Sequence, residues 1–147
     1  YKGSSPRLMG LMWGAEDLSS DLGARASRVD GEWTSPFLLA RNMCLMAAAA
    51  AGVHAVDTVS TEIKDMTAVA RESLAAKRDG FTCKAAIHPA QVAPINEAFS
   101  VTDAERDWAT RVIAALEGQG ANGVAQLDGR MIDIAHLKLA RRILGRV

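Results

Sequence analysis

Short apolar segments alternate with longer helical segments over the first hundred or so residues of the chain. Three brief apolar runs, bounded by turn-forming residues, are typical of buried parallel strands: residues 7–14, 53–59 and 81–87. Segments with helical spacing follow them, over 36–51, 62–78 and, more briefly, 89–99. The alternating order, with connections long enough for crossovers, predicts an α/β fold in which helices cover a parallel sheet.

Local signals mark the ends of these elements. Ser35 is a predicted N-cap, Pro36 suits the first helical position, and Gly52 ends that helix. Residues 15–23 are predicted to form an acidic turn, and residues 25–33 a polar loop. Three strands are few for a free-standing parallel sheet, but three consecutive β/α units are a natural slice of an eight-stranded barrel.

The pattern changes after residue 100. Thr102 and Glu105 have capping-box spacing at the start of a predicted helix, and Asp128-Gly129 predicts a two-residue hairpin turn. A helix, a Gly-rich turn, a hairpin and a last helix are predicted in that order, over 102–117, 118–123, 124–132 and 134–144. We therefore divide the chain into a first domain, 1–100, and a helix–hairpin–helix lid or arm, 101–147.

The composition is that of a soluble globular protein, with 49% hydrophobic and 23% charged residues. The formal net charge is zero, which argues against a nucleic-acid-binding face. The longest apolar stretch, residues 43–53, is too short to span a bilayer, so no membrane partner is expected. Cys44 and Cys83 lie far apart in apolar segments, and we interpret them as reduced thiols of a cytoplasmic protein.

The turn Gly14-Ala15-Glu16-Asp17 is the first candidate for chemistry, because it directly follows a strand, where barrel active sites are built. Carboxylates beside exposed backbone amides suit Mg²⁺, which binds one or two carboxylates and keeps water or substrate oxygens as its other ligands. The alternative is an acidic helix N-terminus, since Asp and Glu are favoured there without any metal. The residues alone leave both interpretations open.

Other polar residues have mainly structural interpretations. Asp57 lies within an apolar strand and needs a partner, either a structural one such as Lys84 or a hydroxyl, or a ligand in a site. Asp65 is interpreted as a solvated helix residue, His88 as a structural histidine and Asp133 as an N-cap. The sequence has no histidine pair with zinc spacing and no P-loop, GxGxxG, GxSxG or HExxH motif. Four methionines are interpreted as core residues: Met9, Met12, Met43 and Met46.

Three segments together resemble one family: LMWGAEDLSSDLGA (11–24), GFTCKAAIHPAQVAPINEAF (80–99) and LDGRMIDIAH (127–136). Their order and spacing are similar to those of the citrate lyase β-subunit-like proteins of the aldolase/citrate lyase superfamily, and the resemblance covers nearly the whole chain. It implies the C-terminal part, about strands 6–8, of a (β/α)₈ TIM barrel with a C-terminal lid. It also implies a homo-oligomer, a trimer or hexamer, and we expect the chain to be a C-terminal half whose beginning is missing.

The resemblance implies roles for four residues. Asp17 matches the family aspartate that binds Mg²⁺, and the backbone amides of Ala15 and Glu16 match the turn that binds the substrate carboxylate. Asp133, in the motif DGxMID, matches the lid aspartate that serves a neighbouring subunit and handles the proton on the acetyl-CoA carbon. The family's metal-binding Glu, and a basic residue that steadies the substrate oxyanion, come from earlier strands and have no counterpart in this sequence.

The activity that the resemblance implies is Mg²⁺-dependent carbon–carbon cleavage of a β-hydroxyacyl-CoA or citryl-type thioester. The substrate would be malyl-CoA, citramalyl-CoA or a similar thioester, and the products an acyl-CoA and a keto acid or aldehyde. Three alternatives are a malyl-CoA-type thioesterase, an aldolase that uses pyruvate without CoA, and an incomplete non-catalytic subunit. The lid argues against the aldolase, because a lid is expected where CoA has to be covered.

Overall fold

The computed structural model describes residues 2–117 and 123–145. The chain divides into two compact units, residues 1–99 and 100–147. The predicted Gly-rich turn falls mostly on residues 118–122, which lie outside the described residues. Within the described part of the chain, no helix combines the length and the apolar character needed to cross a membrane.

The first unit is built around a three-stranded parallel sheet. Its elements, in chain order, are β1 (Gly10–Met12), α1 (Ala15–Leu22), β2 (Arg28–Val29), β3 (Glu32–Trp33), α2 (Ser35–Ala51), β4 (His54–Asp57), α3 (Met66–Asp79), β5 (Cys83–Lys84), a 3₁₀ turn (Pro89–Gln91) and α4 (Val92–Phe99). The sheet order is β1-β4-β5, and in its register Met12 pairs with Val56 and Val56 with Cys83. The prediction of a mixed α/β fold is confirmed.

The strands are shorter than the apolar runs that predicted them. β4 has four residues, although the run that predicted it continues to residue 59. The reason is that the chain leaves the sheet at Thr58, whose side chain accepts a hydrogen bond from the first residue of α1 and whose carbonyl oxygen accepts one from Lys84 of β5. The apolar character of each run therefore reflects the burial of a strand together with the loop that follows it.

The two faces of the sheet differ in their environment. Leu11 and Ala55 face the helices, where Phe37, Ala48 and Phe81 form a core that is almost completely buried. On the opposite face lie Gly10, Met12, His54 and Val56, since successive residues of a strand alternate in direction. Met12 is 60% exposed, so within the described chain this face lacks a cover of helices.

The interpretation of four methionines as core residues is wrong for the described chain. Met9, Met12, Met43 and Met46 are each more than half exposed. Met12 lies on the open face of the sheet, and Met43 and Met46 lie on the side of α2 away from buried Phe37 and Ala48. Apolar character alone does not reveal which face of an element is covered.

Two segments predicted as a turn and a loop contain regular structure. The acidic segment forms α1, which follows Gly14 as N-cap and ends at Gly23 in the left-handed conformation. The loop over 25–33 contains the β2–β3 hairpin, in which Asp30 and Gly31 have φ values of 51° and 84°. In α2 the N-cap is Thr34, and Ser35 is already helical.

The second unit contains α5 (Asp103–Glu117), β6 (Val124–Leu127), β7 (Arg130–Asp133) and α6 (Ile134–Leu144). The antiparallel β6–β7 hairpin turns at Asp128-Gly129, with φ values of 50° and 76°, as the sequence predicts. Side chains of both helices and both strands form its core: Ala109, Val112, Leu116, Ala125, Ile132 and Ala140.

Candidate functional site

The carboxyl ends of the three parallel strands are joined through Thr58. The Thr58 side chain is 1% exposed, and its Oγ1 accepts a hydrogen bond of 3.0 Å from the backbone N–H of Ala15. Its carbonyl oxygen accepts a hydrogen bond of 2.7 Å from Nζ of Lys84. Thr58, which directly follows β4, thus binds both the start of α1 and the end of β5. The segments that follow all three strands therefore have fixed positions.

The acidic residues Glu16 and Asp17 lie in the first turn of α1 and are exposed. Asp17 folds back towards the N-cap, since a Cβ on Gly14 would lie 2.7 Å from Oδ2 of Asp17. Glycine at position 14 therefore makes room for this carboxylate. The N-terminus of a helix favours negative charge, because its first amides have no acceptor within the helix.

The structure places Ala15, Glu16 and Asp17 together, directly after β1. The N–H of Ala15 is already bound to Thr58, so Glu16 and Asp17 provide the first-turn amides that lack a helical acceptor. Among the described residues, no group of three or more His, Cys, Asp or Glu side chains is arranged to hold a metal ion. The donor set fits one carboxylate ligand of a Mg²⁺ site whose remaining ligands are substrate, water or residues from outside the described chain.

Asp57 is held by structural partners on the helix side of the sheet. Oδ1 and Oδ2 each accept a hydrogen bond of 3.2 Å from Arg41, and Oδ1 accepts a further bond of 2.6 Å from Nε1 of Trp13. The sequence suggested Lys84 or a hydroxyl as the partner, which is wrong. Arg41 comes from α2, 16 positions away along the chain, and no local signal connects the two residues.

Arg41 is itself fixed by a second carboxylate. Its Nη1 donates a hydrogen bond of 2.8 Å to Asp79 at the end of α3, and its guanidinium lies 4.6 Å from the centroid of the Phe81 ring. Burial alone would lower the pKa of Arg41, but the hydrogen bonds and charges of Asp57 and Asp79 outweigh burial and raise the pKa. The network therefore contains a permanent buried cation.

Lys84 connects the sheet to α3 as well as to Thr58. Its Nζ lies 3.2 Å from Oε2 of Glu72, and Oε1 of Glu72 lies 3.2 Å from Arg28. The Lys84–Glu72 contact is an ion pair without hydrogen-bond geometry, since Oε2 of Glu72 is buried and accepts no hydrogen bond within the described residues. Lys84 is thus occupied by structural partners.

Gln91 is a fully buried side chain that the sequence interpretation missed. Its Nε2 donates to the carbonyl oxygens of Ser60 and Glu62, each at 2.9 Å. Its Oε1 accepts from the backbone N–H groups of Ile87 and His88. Gln91 therefore ties the loop after β4 to the loop after β5. The signal was present, because a Gln three residues after an N-cap residue is the spacing of a capping box.

Asp133 is the N-cap of α6, as the sequence interpretation proposed. Oδ1 of Asp133 accepts hydrogen bonds from the backbone N–H groups of Ala135, at 2.9 Å, and His136, at 3.4 Å. Nδ1 of His136 lies 2.8 Å from the same oxygen. The His136 side-chain hydrogen bond, followed by the backbone bonds, lowers the pKa of Asp133 below its usual value.

The fold and site describe a parallel α/β protein with an exposed carboxylate at the carboxyl end of a strand. The family model described as HpcH/HpaI aldolase/citrate lyase matches residues 3–89, and the chain belongs to that family. A citrate lyase subunit beta-like protein of Mycobacterium tuberculosis is 34% identical over 139 residues, covering 94% of this chain and 50% of the relative. A (3S)-malyl-CoA thioesterase of Cereibacter sphaeroides is 37% identical over 143 residues, covering 96% of this chain and 49% of the relative.

A solved structure agrees with this assignment. The crystal structure of CitE from Mycobacterium tuberculosis, in complex with magnesium, acetoacetate and coenzyme A, matches with a TM-score of 0.80 and 34% identity. The match covers 92% of this chain and 50% of that one. The chain thus spans about half the length of the curated relatives it matches.

Proposed function

We propose that this chain forms part of a Mg²⁺-dependent carbon–carbon lyase that acts on a β-hydroxyacyl-CoA or citryl-type thioester. The observation that carries the proposal is the exposed carboxylate of Asp17, lying against Gly14 at the carboxyl end of β1. Family membership supports the reaction class, and the related CitE structure in complex with magnesium and coenzyme A supports the metal and the thioester.

We further propose that the first unit is the slice of a (β/α)₈ barrel containing about its last three strands, and that the second unit is a lid. The strand order β1-β4-β5 agrees with this, because each new strand is added on the same side of the sheet, as in a barrel. Helices cover the face that bears Leu11 and Ala55, as the outer ring of a barrel does, and the opposite face corresponds to a barrel interior.

In this proposal Asp17 provides one metal ligand, and the amides at the start of α1 bind the substrate carboxylate. The Glu16 amide is the better placed of the two predicted donors, since Ala15 already donates to Thr58. A Mg²⁺ ion held by Asp17 would supply Lewis-acid chemistry towards a substrate oxygen. The remaining metal ligand and the basic residue come from outside the described chain, either from the same polypeptide or from another subunit of a trimer or hexamer.

The proton chemistry follows from a retro-Claisen cleavage. The substrate hydroxyl loses its proton to a base from outside this chain, and the carbon–carbon bond breaks to give a carbonyl product and a thioester enolate. In the condensing direction the Asp133 carboxylate, the form that its lowered pKa favours, removes a proton from the acyl-CoA carbon. In the cleavage direction the same carboxyl group, after taking up a proton from solvent, gives it to the enolate carbon and forms the acyl-CoA.

A malyl-CoA-type thioesterase is the second candidate, favoured by the malyl-CoA thioesterase relative at 37% identity. The two reactions consume the same substrate but give different products. A lyase releases acetyl-CoA with glyoxylate or pyruvate, whereas a thioesterase admits water to the carbonyl carbon and releases free CoA with the hydroxy acid.

The test is an assay of malyl-CoA and citramalyl-CoA with and without Mg²⁺, on the chain alone and on the longest polypeptide its gene encodes. Product analysis separates acetyl-CoA from free CoA. We expect Mg²⁺-dependent formation of acetyl-CoA that Asp17→Asn abolishes, while Asp21→Asn, on an exposed position of the same helix, leaves it intact. Free CoA would instead identify a thioesterase. Absence of both products from the longest polypeptide would refute both activities and favour a non-catalytic subunit.

A further inference from the structure

The contacts of Asp133 are concentrated on one of its two carboxylate oxygens. Oδ1 faces the amides of Ala135 and His136 at 2.9 and 3.4 Å and the His136 ring nitrogen Nδ1 at 2.8 Å. Within residues 2–117 and 123–145, no donor contacts Oδ2. The two oxygens therefore differ: Oδ1 is held by the start of α6, and Oδ2 is left for exchange of a proton.

The short contact also bears on the tautomer of His136. An ionised carboxylate has no proton to donate, so a separation of 2.8 Å between Nδ1 and Oδ1 requires a proton on Nδ1. The backbone N–H of Asp133 also lies 3.2 Å from Nδ1, but that bond requires the opposite arrangement, a bare Nδ1. We assign the proton to Nδ1, because the charge-assisted bond to the carboxylate is the shorter and stronger of the two.

His136 also borders a cavity next to this N-cap. The cavity has a volume of about 440 Å³ and is lined by His136 together with Trp108 of α5 and Leu127, Arg130, Met131 and Ile132 of the hairpin. Both side chains of the Asp133–His136 pair are 41% exposed, so the pair is accessible to a substrate.

We propose that His136 is a positioning residue for Asp133, donating from Nδ1 to Oδ1 so that Oδ2 alone transfers the proton to and from the acyl-CoA carbon. This inference rests on the proposed function. Without His136 the carboxylate keeps its two backbone donors but loses the side-chain donor that restricts its rotation. Either oxygen is then able to turn towards the substrate, and fewer of the bound complexes have the reactive geometry.

The charged groups around the pair bear on its pH dependence. Asp128 in the hairpin turn and Arg130 on β7 line the same cavity as His136. Asp128 is paired with Arg111 of α5, which also contacts Asp107 one turn earlier. The first cause of the lowered pKa of Asp133 is the hydrogen bond from His136, so removal of that side chain raises the pKa of Asp133.

The test compares His136→Ala with His136→Asn, because the amide nitrogen of Asn occupies a position close to that of Nδ1 and is able to donate to Oδ1. The first readout needs no substrate. Carbon-13 NMR follows the carboxyl signal of Asp133 in the 147-residue chain during a pH titration, with the signal assigned by its loss in Asp133→Asn. We expect the Asp133 pKa to rise in His136→Ala and to stay low in His136→Asn. An unchanged pKa in His136→Ala would overturn the inference whatever the activity.

The second readout is the pH profile of turnover in the longest polypeptide its gene encodes. We expect His136→Ala to lower kcat roughly tenfold to a hundredfold with KM nearly unchanged, and His136→Asn to restore most of the loss. The pH at which kcat changes with Asp133 protonation should move upward in His136→Ala only. A purely structural loss of the helix cap would instead lower Tm in both variants and leave that transition pH unchanged. A normal kcat and profile in His136→Ala would overturn the inference alone, whereas an inactive wild type would refute the proposed function.

Discussion

Arg41 of α2 donates two hydrogen bonds of 3.2 Å to Asp57 of β4, from Nε to Oδ1 and from Nη2 to Oδ2. Both residues are about 95% buried, with exposures of 5% and 4%. Asp57 directly precedes Thr58, the residue that joins the carboxyl ends of the three strands. The ion pair between helix and sheet therefore fixes the position of the loop that supports the candidate site.

Removal of Asp57 is expected to destabilise the first unit strongly. Asp57→Ala leaves the Arg41 guanidinium buried without its bidentate partner, and loss of one partner of a buried pair costs about 3–5 kcal/mol. The measurement is the free energy of unfolding from urea denaturation. Asp57→Leu combined with Arg41→Met should recover most of that loss, because both charges are then removed together.

Arg78→Ala is the control for this prediction, since it breaks the ion pair with Asp79 from an exposed position. A surface ion pair contributes about 0–1 kcal/mol, so this variant should remain close to the wild type. A loss in Asp57→Ala no larger than that in Arg78→Ala would contradict a stabilising role for the buried pair.

The stability of the chain is expected to fall in acid because of Asp79. Burial alone would raise its pKa, but the hydrogen bonds and charges of Arg41 and Arg78 outweigh burial and hold the pKa below the ordinary value of 3.8. A carboxyl whose pKa is lower in the folded state contributes stability that is complete above the unfolded pKa and is lost as the pH falls through the folded pKa. The free energy of unfolding should therefore decrease from about pH 5 to about pH 3 and below.

Asp79→Asn isolates this contribution, because Asn keeps the size of the side chain but does not titrate. The decrease in stability across that pH range should be smaller in Asp79→Asn than in the wild type. The pKa of Asp133 is lowered as well, so Asp133→Asn should remove a second, separate part of the decrease. Equal pH dependence in the wild type and Asp79→Asn would show that Asp79 does not contribute.

The elements of the fold were predictable where a local pattern determines them. The Asp128-Gly129 turn was predicted because both residues adopt positive φ readily, and the structure places both there. The same dipeptide at Asp30-Gly31 was interpreted as part of a loop because its surroundings are polar, and in the structure only two residues on either side pair as strands. A turn signal flanked by so little regular pattern is easily read as irregular chain.

The contacts of the site depend on pairs of residues that no local pattern connects. Arg41 and Asp57 are brought together by the crossover from α2 to β4, and Gln91 reaches back to Ser60 across 31 positions. Apolar character predicts that a residue is suitable for burial, but not which neighbour covers it, which explains the exposed Met12. The sequence therefore predicts that Asp17 directly follows a strand and that Asp133 begins the last helix, whereas the helix that contains Asp17 and the hydrogen-bond partners of Asp133 required the structure.

Substitution of Gln91 is expected to disrupt both loops that it joins. Gln91→Met keeps the approximate length of the side chain but leaves two carbonyl oxygens and two N–H groups without their partner. An unsatisfied buried group costs about 1–3 kcal/mol, and of these four bonds only the one to Ser60 is fully buried, so we expect a loss of roughly 3 kcal/mol in the free energy of unfolding. Gln91→Glu should cost at least as much near neutral pH, because a carboxylate oxygen then faces the carbonyl oxygens of Ser60 and Glu62.

Gln126→Met provides the matched control, since Gln126 lies exposed on β6. It should leave the stability nearly unchanged. If Gln91→Met were as stable as Gln126→Met, the buried hydrogen bonds of Gln91 would not be what holds the loops after β4 and β5.

The last prediction concerns Gly14 and the proposed metal ligand. In Gly14→Ala the new Cβ would lie 2.7 Å from Oδ2 of Asp17, so the flexible carboxylate has to move while the backbone, with a φ of −113°, is unstrained. We expect little change in Tm and roughly tenfold weaker binding of a divalent cation, the scale on which loss of a supporting contact affects metal affinity. The readout is paramagnetic broadening of the amide signals of residues 14–17 by Mn²⁺, with apparent affinity for Mg²⁺ measured by competition.

Gly10→Ala is the contrasting control. Its Cβ would lie 3.1 Å from the backbone oxygen of His54, so this variant should have lower stability but unchanged affinity for the cation. Equal broadening in the wild type, Gly14→Ala and Asp17→Asn would remove Asp17 from the proposed metal site.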